Sequence, residues 1–309
     1  MRGMVKPYLF WPALSGTIAL LGGLVAVRGR WSAASGLERL IALGPVFVAA
    51  PLATFGAEHM VLARFVSQDI PAWMPARLFW AYFVGAALFA AAISLILRKS
   101  VRLSATLLGV MFVLFVVLLH VPRAAAHPGD RFPWTVALRD LAFGGGAFAF
   151  AAAPTKDERA HGTRWLVTAG RLMVAVPVLF FGIEHFLHPE FAPGVPLQKV
   201  TPAWIPARAL WGYATGAALL AAAGAILVDV RARTAATWLG LLFLLLTALM
   251  YVPILATAAQ SPEIFEGLNY VADTLLFAGT ALLLAAALPD RGPESSSAAM
   301  HLPPEDLKS

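Results

Sequence analysis

Long apolar runs separated by short polar segments dominate the chain. A helix needs about 20 apolar residues to cross a bilayer. We therefore predict nine spanning helices, over residues 8–27, 37–60, 76–97, 103–122, 135–154, 166–187, 206–228, 234–257 and 267–288. Because nearly all of the chain lies in these runs, the predicted fold class is an all-α membrane protein.

Eight of the nine runs fall into two groups of four that share a sequence pattern. Residues 71–91 (PAWMPARLFWAYFVGAALFAA) match residues 202–222 (PAWIPARALWGYATGAALLAA), and residues 36–60 match residues 162–186. Identity this dense indicates an internal duplication. An even number of spans separates equivalent helices, so a pseudo-twofold axis along the membrane normal should relate the copies. We predict two tandem four-helix transmembrane bundles and one extra N-terminal transmembrane helix.

The same pattern divides the chain into five segments. They are an N-terminal transmembrane helix (1–35), a first four-helix repeat (36–154), a linker (155–161), a second four-helix repeat (162–288) and a tail (289–309). The linker is charged, and the tail is polar and rich in Pro and Ser, which predicts a loop and a disordered tail. The first run is too long for a signal-peptide core and precedes Arg28 and Arg30, which favours a retained membrane helix.

Composition supports a bilayer location and excludes several kinds of site. Hydrophobic residues make up 60% of the 309 residues and charged residues 13%, against about 25% charged in soluble domains. The net charge of +6 comes from basic residues in short loops rather than from one basic face, which argues against nucleic-acid binding. The chain has no cysteine, which excludes disulfides, thiolate catalysis and metal sites built on Cys.

The loops on the two sides of the predicted membrane domain differ in charge. Lys and Arg are concentrated on the side that holds Arg28, Arg98, Lys99 and Arg231, and are fewer on the side that holds Lys199. By the positive-inside rule the first side is cytoplasmic. We expect a multi-pass protein of the cell inner membrane, with its N-terminus outside and its C-terminus in the cytoplasm.

The same polar and aromatic residues collect at the outer membrane boundary in both copies. The candidate ligand-binding residues are Glu58, His59, Trp73, Arg77, Trp80, Tyr82, His120 and Asp140 in the first copy and Glu184, His185, Trp204, Arg208, Trp211, Tyr213, Tyr251 and Asp273 in the second. A charge within a span costs about 2.5–3.5 kcal/mol on insertion scales, so such a cluster favours a binding pocket. The alternative is structural: aromatic belts at the boundary and ion pairs that join helices.

An arginine opens the second helix of each copy. Arg77 and Arg208 lie in a first helical turn, where the helix dipole disfavours a cation. We expect these arginines to pair with the glutamates of their own copies, Glu58 and Glu184, and thereby to join two helices.

The other polar groups fit more than one role. Each Glu–His pair suits a proton relay, because an imidazole titrates near neutral pH. His59 and His120 would also suit the ligation of haem b, but Tyr251 replaces the second histidine in the other copy. Haem or metal ligation is therefore the less favoured interpretation. Asp140 and Asp273 are predicted to begin the last helix of each copy, where dipole stabilisation alone would explain them.

Three features distinguish one copy from the other or mark a packing surface. Arg139, next to Asp140, has no counterpart in the second copy, where Ala272 stands. The loop after the second Glu–His pair is five residues longer and rich in Pro, which indicates either a specialised outer face or neutral drift. The run Gly144-Gly145-Gly146 predicts a close-packing face for a neighbouring helix.

These residues together resemble the DoxX/DoxD-like membrane proteins. In each copy the first helix closes with a Glu–His pair and the second helix is rich in small residues, while the last helix of the first copy contains Arg139-Asp140-Leu141 and Gly144-Gly145. The resemblance covers residues 36–154 and 162–288, and it implies a four-helix bundle for each copy. In some members it also implies redox chemistry, such as the quinone-linked oxidation of thiosulfate.

Three functions are consistent with these patterns. The first is a quinone-interacting or redox-associated membrane subunit, in which Trp and Tyr contact the ring and Glu, His and Arg manage protons. The second is a non-catalytic accessory subunit that packs against other membrane or periplasmic redox proteins. The third is a small-molecule transporter. We favour it less because no predicted span carries a charge near its centre, where transporters commonly place coupling sites.

Overall fold

The computed structural model describes residues 6–153 and 164–290. The described chain is helical, and its only extended pairing is a single bridge between Phe191 and Val200. The helices are α1 (Pro7–Ala33), α2 (Glu38–Val61), α3 (Ala63–Val66), α4 (Arg77–Leu97), α5 (Val101–Phe115), α6 (Val121–Ala126), α7 (Arg131–Ala151), α8 (Arg164–Leu187), α9 (Arg208–Leu227), α10 (Ala232–Leu246), α11 (Val252–Thr257) and α12 (Ser261–Ala287). The predicted linker and all but two residues of the predicted tail lie outside the described residues.

Among the described residues, eight helical stretches are long and apolar enough to cross a membrane. They coincide with eight of the nine predicted runs and confirm the all-α membrane fold class. The one predicted run without a counterpart among the eight is 135–154. It does form a helix, α7. Arg139 and Asp140 near its middle lower its mean hydropathy. Because α7 packs against α5, α8 and α12, these charges lie in contact with protein.

A π-helical turn occurs in each set of helices. Val116–His120 continues α5 into α6, and Thr247–Tyr251 continues α10 into α11. Each turn is followed by a Val-Pro pair that opens the next helix. Such insertions often occur at functional sites, and here each one ends at a candidate site residue, His120 or Tyr251.

The two sets of four long helices share one core. In the first set α4 packs on α2 and α7 packs on α5, and in the second set α9 packs on α8 and α12 packs on α10. The sets are joined through their end helices, because α12 packs against both α2 and α7, and α7 packs against α8. The additional helix, α1, packs on α2. Residues at the α7–α12 contact can therefore come from both copies.

The glycine run of α7 allows neighbouring helices to approach closely. A Cβ atom built on Gly145 would lie 2.7 Å from the carbonyl oxygen of Gly170 in α8. One built on Gly146 would lie 2.6 Å from the side chain of Thr280 in α12. Neither distance leaves room for a side chain. The close-packing role predicted for this run is confirmed.

Helices α4 and α9 begin in the same way. The residues before them, Ala76 and Ala207, have φ angles of 53° and 51°. This left-handed conformation brings Cβ close to the backbone and costs about 1–2 kcal/mol for residues other than glycine. Both second helices therefore start from a strained alanine.

We expect Ala207→Gly to stabilise the fold by about 0.5–1 kcal/mol, because glycine adopts this conformation without the Cβ penalty. Reversible denaturant unfolding of the purified protein measures the change. Ala214→Gly, at an exposed position inside α9, is the matched control and should destabilise by about 0.5–1 kcal/mol. A loss of stability in Ala207→Gly would contradict the left-handed assignment.

Candidate functional site

A cavity of about 330 Å³ lies at the end of the molecule where residues 62–76 connect α2 to α4. It is termed the first cavity. Its walls come from α2, α4, α5, α7, α12 and the first π-helical turn, so both sets of helices contribute to it. Its volume is near the lower end of the usual range for small-molecule pockets, about 300–1,000 Å³.

One part of the lining is aromatic. Phe55, Trp80, Phe112, Phe115 and Phe143 contribute to it. The rings of Phe112 and Phe143 pack edge to face, with centroids 5.4 Å apart. Aromatic rings favour offset-stacked or edge-to-face contacts with other flat rings. The first cavity therefore offers a surface that suits a flat apolar ligand.

His59 contributes an unused hydrogen-bond acceptor. Its Nδ1 lies 2.8 Å from the carbonyl oxygen of Phe55. A carbonyl only accepts, so Nδ1 carries the proton and Nε2 of the neutral ring is an acceptor. Within the described part of the chain no group donates a hydrogen bond to this Nε2. Because His59 lines the first cavity, a ligand with a donor group would complete this site.

A chain of hydrogen-bonded charged groups crosses the cavity wall. His120 Nε2 lies 2.9 Å from Asp140 Oδ2. Arg139 donates through Nε to Asp140 Oδ1 at 3.1 Å and through Nη1 to Asp273 Oδ2 at 2.8 Å. Asp140 and Asp273 are only 4% and 6% exposed. One arginine therefore stabilises two buried carboxylates, one from each copy.

Glu58 is the third buried carboxyl group in the first cavity. Its Oε1 accepts a hydrogen bond from Asn269 Nδ2 at 3.0 Å. At the rim of the cavity, Arg123 and Asp69 form a separate pair at 2.8 Å, with both side chains about half exposed. The interior of the cavity thus combines three acidic groups with a single arginine, Arg139.

Six predicted site residues line the first cavity: Glu58, His59, Trp80, His120, Asp140 and Asp273. Three others from the first copy, Trp73, Arg77 and Tyr82, are exposed instead. The predicted pair between Arg77 and Glu58 does not form among the described residues. Arg77 is exposed at the start of α4, and Glu58 is bonded to Asn269.

The predicted capping role of the two aspartates is wrong. The N-caps of α7 and α12 are Asp130 and Gln260, because polar residues ahead of the apolar runs extend both helices. Asp140 is therefore the tenth residue of the 21 in α7, and Asp273 is the thirteenth of the 27 in α12. Each aspartate therefore lies near the middle of its helix rather than at its start.

In the second copy the equivalent region is filled by the chain itself. Residues 192–197 of the longer loop are buried and are termed the plug. One peptide group of the plug is bonded on both sides. Gly194 N–H donates to His185 Nε2 at 2.9 Å, and the Pro193 carbonyl accepts from the Tyr251 hydroxyl at 2.8 Å. The longer loop thus fills the region of the second copy that lies beside His185 and Tyr251.

Arg131 fastens the plug to the helices. Its Nε donates to Glu184 Oε2 at 2.5 Å, and its guanidinium also donates to the carbonyl oxygens of Pro196 and Leu197. The predicted pair between Glu184 and Arg208 is therefore wrong, because Arg131 holds the glutamate. Arg208 instead lines a groove at the surface, where its guanidinium lies 3.5 Å from the Thr201 carbonyl.

The remaining aromatic candidates lie outside both regions. They are Trp73, Tyr82, Trp204, Trp211 and Tyr213, which are between 43% and 70% exposed. All five lie just before α4 and α9 or within their first two turns. This position suits the aromatic belt of a membrane boundary. Their contribution to ligand binding stays a prediction.

Sequence reasoning missed several parts of the first cavity. Asn269 and the phenylalanines carry no sequence signal, because their types are common in apolar helices and their roles depend on long-range packing. Arg139 did carry a signal, since it breaks the symmetry of the repeat. The plug carried one too, in the extra length and Pro content of its loop.

The arrangement of the acidic and histidine side chains bears on the metal and haem interpretations. In residues 6–153 and 164–290, no group of three or more His, Asp or Glu side chains is placed to hold a metal ion. The two histidines considered for haem, His59 and His120, both line the first cavity. Since His120 Nε2 is engaged by Asp140, a haem iron would compete with a carboxylate for that nitrogen.

Comparisons with protein families, curated proteins and solved structures found no match. The resemblance to the DoxX/DoxD-like membrane proteins therefore stays a prediction. Function must be inferred from the geometry of the first cavity and the plug.

Proposed function

We propose that the first cavity binds the head group of a quinol within the membrane, and that the plug closes the corresponding site of the second copy. The observation that carries this proposal is the combination of an aromatic lining with an unused acceptor at His59 Nε2. A quinol ring is flat and apolar, and its hydroxyl groups are hydrogen-bond donors. It therefore matches both features of the cavity.

The plug supports this choice of ligand chemistry. In the second copy a single peptide group presents its N–H to His185 and its carbonyl to Tyr251. His59 and His120 occupy the corresponding sequence positions in the first copy. A ligand there should carry a donor that meets His59 Nε2 as the Gly194 N–H meets His185 Nε2. A ring hydroxyl meets that requirement.

The His120–Asp140 pair adds an oriented imidazole to the same cavity. A carboxylate bonded to one imidazole nitrogen fixes the orientation of the ring. A quinol hydroxyl held near this pair would have a base within the same cavity. The site would thus hold the quinol through hydrogen bonds to His59 and to the His120–Asp140 pair.

We also infer the placement of this site in the cell. The basic loops on the opposite side of the membrane favour a cytoplasmic location for that side. The first cavity would then lie toward the outer face of the cell inner membrane, where partner redox proteins of the membrane or periplasm could reach it.

Transport of a small molecule is a second candidate. It is favoured by the central positions of Arg139, Asp140 and Asp273 in two packed helices, since buried charges often mark substrate or ion pathways. Transport would require the ligand to reach the cytoplasmic end of the molecule. Accumulation of labelled ligand inside protein-containing vesicles, absent from protein-free vesicles, would favour this candidate over a binding protein.

Calorimetric titration of the detergent-solubilised protein with a short-chain benzoquinol tests the proposal. We expect His59→Leu to weaken binding by about tenfold, because the quinol hydroxyl loses its acceptor. The oxidised quinone has no hydroxyl to donate, so it should bind wild type about tenfold more weakly than the quinol. Tyr82→Phe, outside the cavity, should bind the quinol as wild type does.

Two results with these variants would contradict the proposed site. Equal quinol affinity in wild type and His59→Leu would place the ligand elsewhere. A reduced affinity in Tyr82→Phe would show that the exposed boundary aromatics, rather than the first cavity, form the site.

A further inference from the structure

A second cavity, of about 340 Å³, shares part of its wall with the first. Arg139, Asn269 and Asp273 line both cavities. The other walls of the second cavity include Gln198 and Lys199, which follow the plug. These three shared residues are therefore all that the two cavities have in common, and they lie between them.

The second cavity opens to the surface. Gln198 is exposed, and the Glu266 side chain on the opposite wall is 46% exposed. Lys199 Nζ lies 2.5 Å from Glu266 Oε2, so this pair stands at the opening. Phe132, which is 36% exposed, also lines this cavity, so polar and apolar side chains both border it.

The charges in the second cavity are already paired. Lys199 is neutralised by Glu266, and Arg139 by Asp273 and Asp140. An ionic ligand would have to break one of these pairs. The lining instead offers paired charges and amide groups, which suit ordered water.

Asp273 lies where the two cavities meet. Its Oδ2 accepts from Arg139 Nη1 at 2.8 Å, whereas Oδ1 has no hydrogen-bond partner among the described residues. We propose that the second cavity is a water-filled route to Asp273, and that Asp273 exchanges protons between the first cavity and the water outside.

The exchange needs no further reactant. A proton leaving a group in the first cavity binds Asp273 Oδ1 and converts the carboxylate to a neutral carboxyl group. The proton then passes to water in the second cavity, which restores the carboxylate. Arg139 keeps its proton throughout, since a guanidinium does not deprotonate in proteins, and it stabilises the charged form of Asp273.

Several groups around Asp273 influence this exchange. Arg139 is hydrogen-bonded to Asp273 and also to Asp140, and Glu58 lines the same cavity. The other titratable groups lining the two cavities or interacting with Asp273 are His59, Asp69, His120, Arg123, Lys199, Tyr251, Glu266 and Tyr270. The inference rests on the proposed function only for the source of the proton, because the water route needs no ligand.

Single cysteines test the route, because the chain has none of its own. Asn269→Cys places a thiol on the shared wall without removing a charge. We expect it to react with a charged, membrane-impermeant thiol reagent. Adding Gln198→Trp, which fills the second cavity alone, should slow the reaction by about tenfold, because a packed side chain excludes water. Adding Ile70→Trp, in the first cavity alone, should leave the rate unchanged.

An unreactive Asn269→Cys, or one slowed by Ile70→Trp rather than by Gln198→Trp, would overturn the route. Infrared spectra recorded during a change of bulk pH test the proton step. We expect a carboxyl band that titrates in wild type, is lost in Asp273→Asn and is retained in Asp273→Glu. Identical titrations in wild type and Asp273→Asn would overturn the role of Asp273. Neither experiment contains a quinol, so both outcomes are independent of the proposed function.

Discussion

Arg139→Met is expected to destabilise the protein by about 3–5 kcal/mol, the usual result of removing one partner from a buried ion pair. Arg139 is bonded to Asp140 and Asp273, and both carboxylates are buried. Methionine fills a similar volume but leaves two negative groups without their shared cation. Because Asp140 lies in α7 and Asp273 in α12, the lost contacts also join the two sets of helices.

Denaturant unfolding of the purified protein measures this change. Arg139→Met combined with Asp140→Asn and Asp273→Asn should recover most of the lost stability, because the remaining side chains are neutral. Arg123→Met is the matched control. Its pair with Asp69 is about half exposed, so its removal should cost less than about 1 kcal/mol. A similarly small effect of Arg139→Met would contradict the central role of the charge chain.

Gly194→Val is expected to release the plug from the second copy. Gly194 has a φ angle of +120°, in a region that residues with a side chain rarely adopt. Strain of this kind costs about 1–3 kcal/mol. The γ-methyl groups of valine would also extend beyond a Cβ atom that already lies in contact with the Phe243 ring at 3.4 Å. The hydrogen bonds to His185 and Tyr251 would be lost as the loop moves.

Release of the plug should change the number of ligands as well as stability. We expect native mass spectrometry to find one bound quinol per wild-type chain and two per Gly194→Val chain. Gly129→Val is the matched control, because a Cβ atom on Gly129 would meet nothing within 4 Å. It should change neither stability nor ligand number. One quinol per chain in Gly194→Val, together with unchanged stability, would contradict the claim that the plug closes a second binding site.

The lengths of the apolar runs located the long helices but misplaced the starts of two of them. Apolar runs placed the start of α7 at residue 135 and of α12 at residue 267, whereas the helices begin at Arg131 and Ser261. Hydropathy marks the apolar part of a helix, and a helix continues for as long as its backbone bonds and caps are satisfied. The error made Asp140 and Asp273 look like terminal residues when they are central ones.

Pairing of charges could not be read from the repeat. The repeated sequence suggested ion pairs within each copy, such as Arg77 with Glu58. In the structure, Arg139 and Asp273 are joined across 134 positions of sequence because α7 packs against α12. Helix packing of this kind depends on side-chain shape along whole helices, such as the glycine run of α7, and is not encoded in local spacing.

The polar residues of the first cavity were predictable from the sequence, whereas the burial of the plug was not. Glu58, His59 and His120 were singled out because buried polar groups in membrane helices are costly. The plug is buried because Arg131, His185 and Tyr251 satisfy its backbone groups. A loop without such partners would remain at the surface. Only the fold brings these partners together.

Photolabelling with a reactive quinol analogue tests the central claim most directly. The account predicts a saturable cross-link within residues 55–70, 80–88, 112–123, 139–143 or 269–276, which border the first cavity, and a weaker cross-link in His59→Leu. A cross-link confined to residues 181–213, or labelling that does not saturate, would contradict a quinol site in the first cavity.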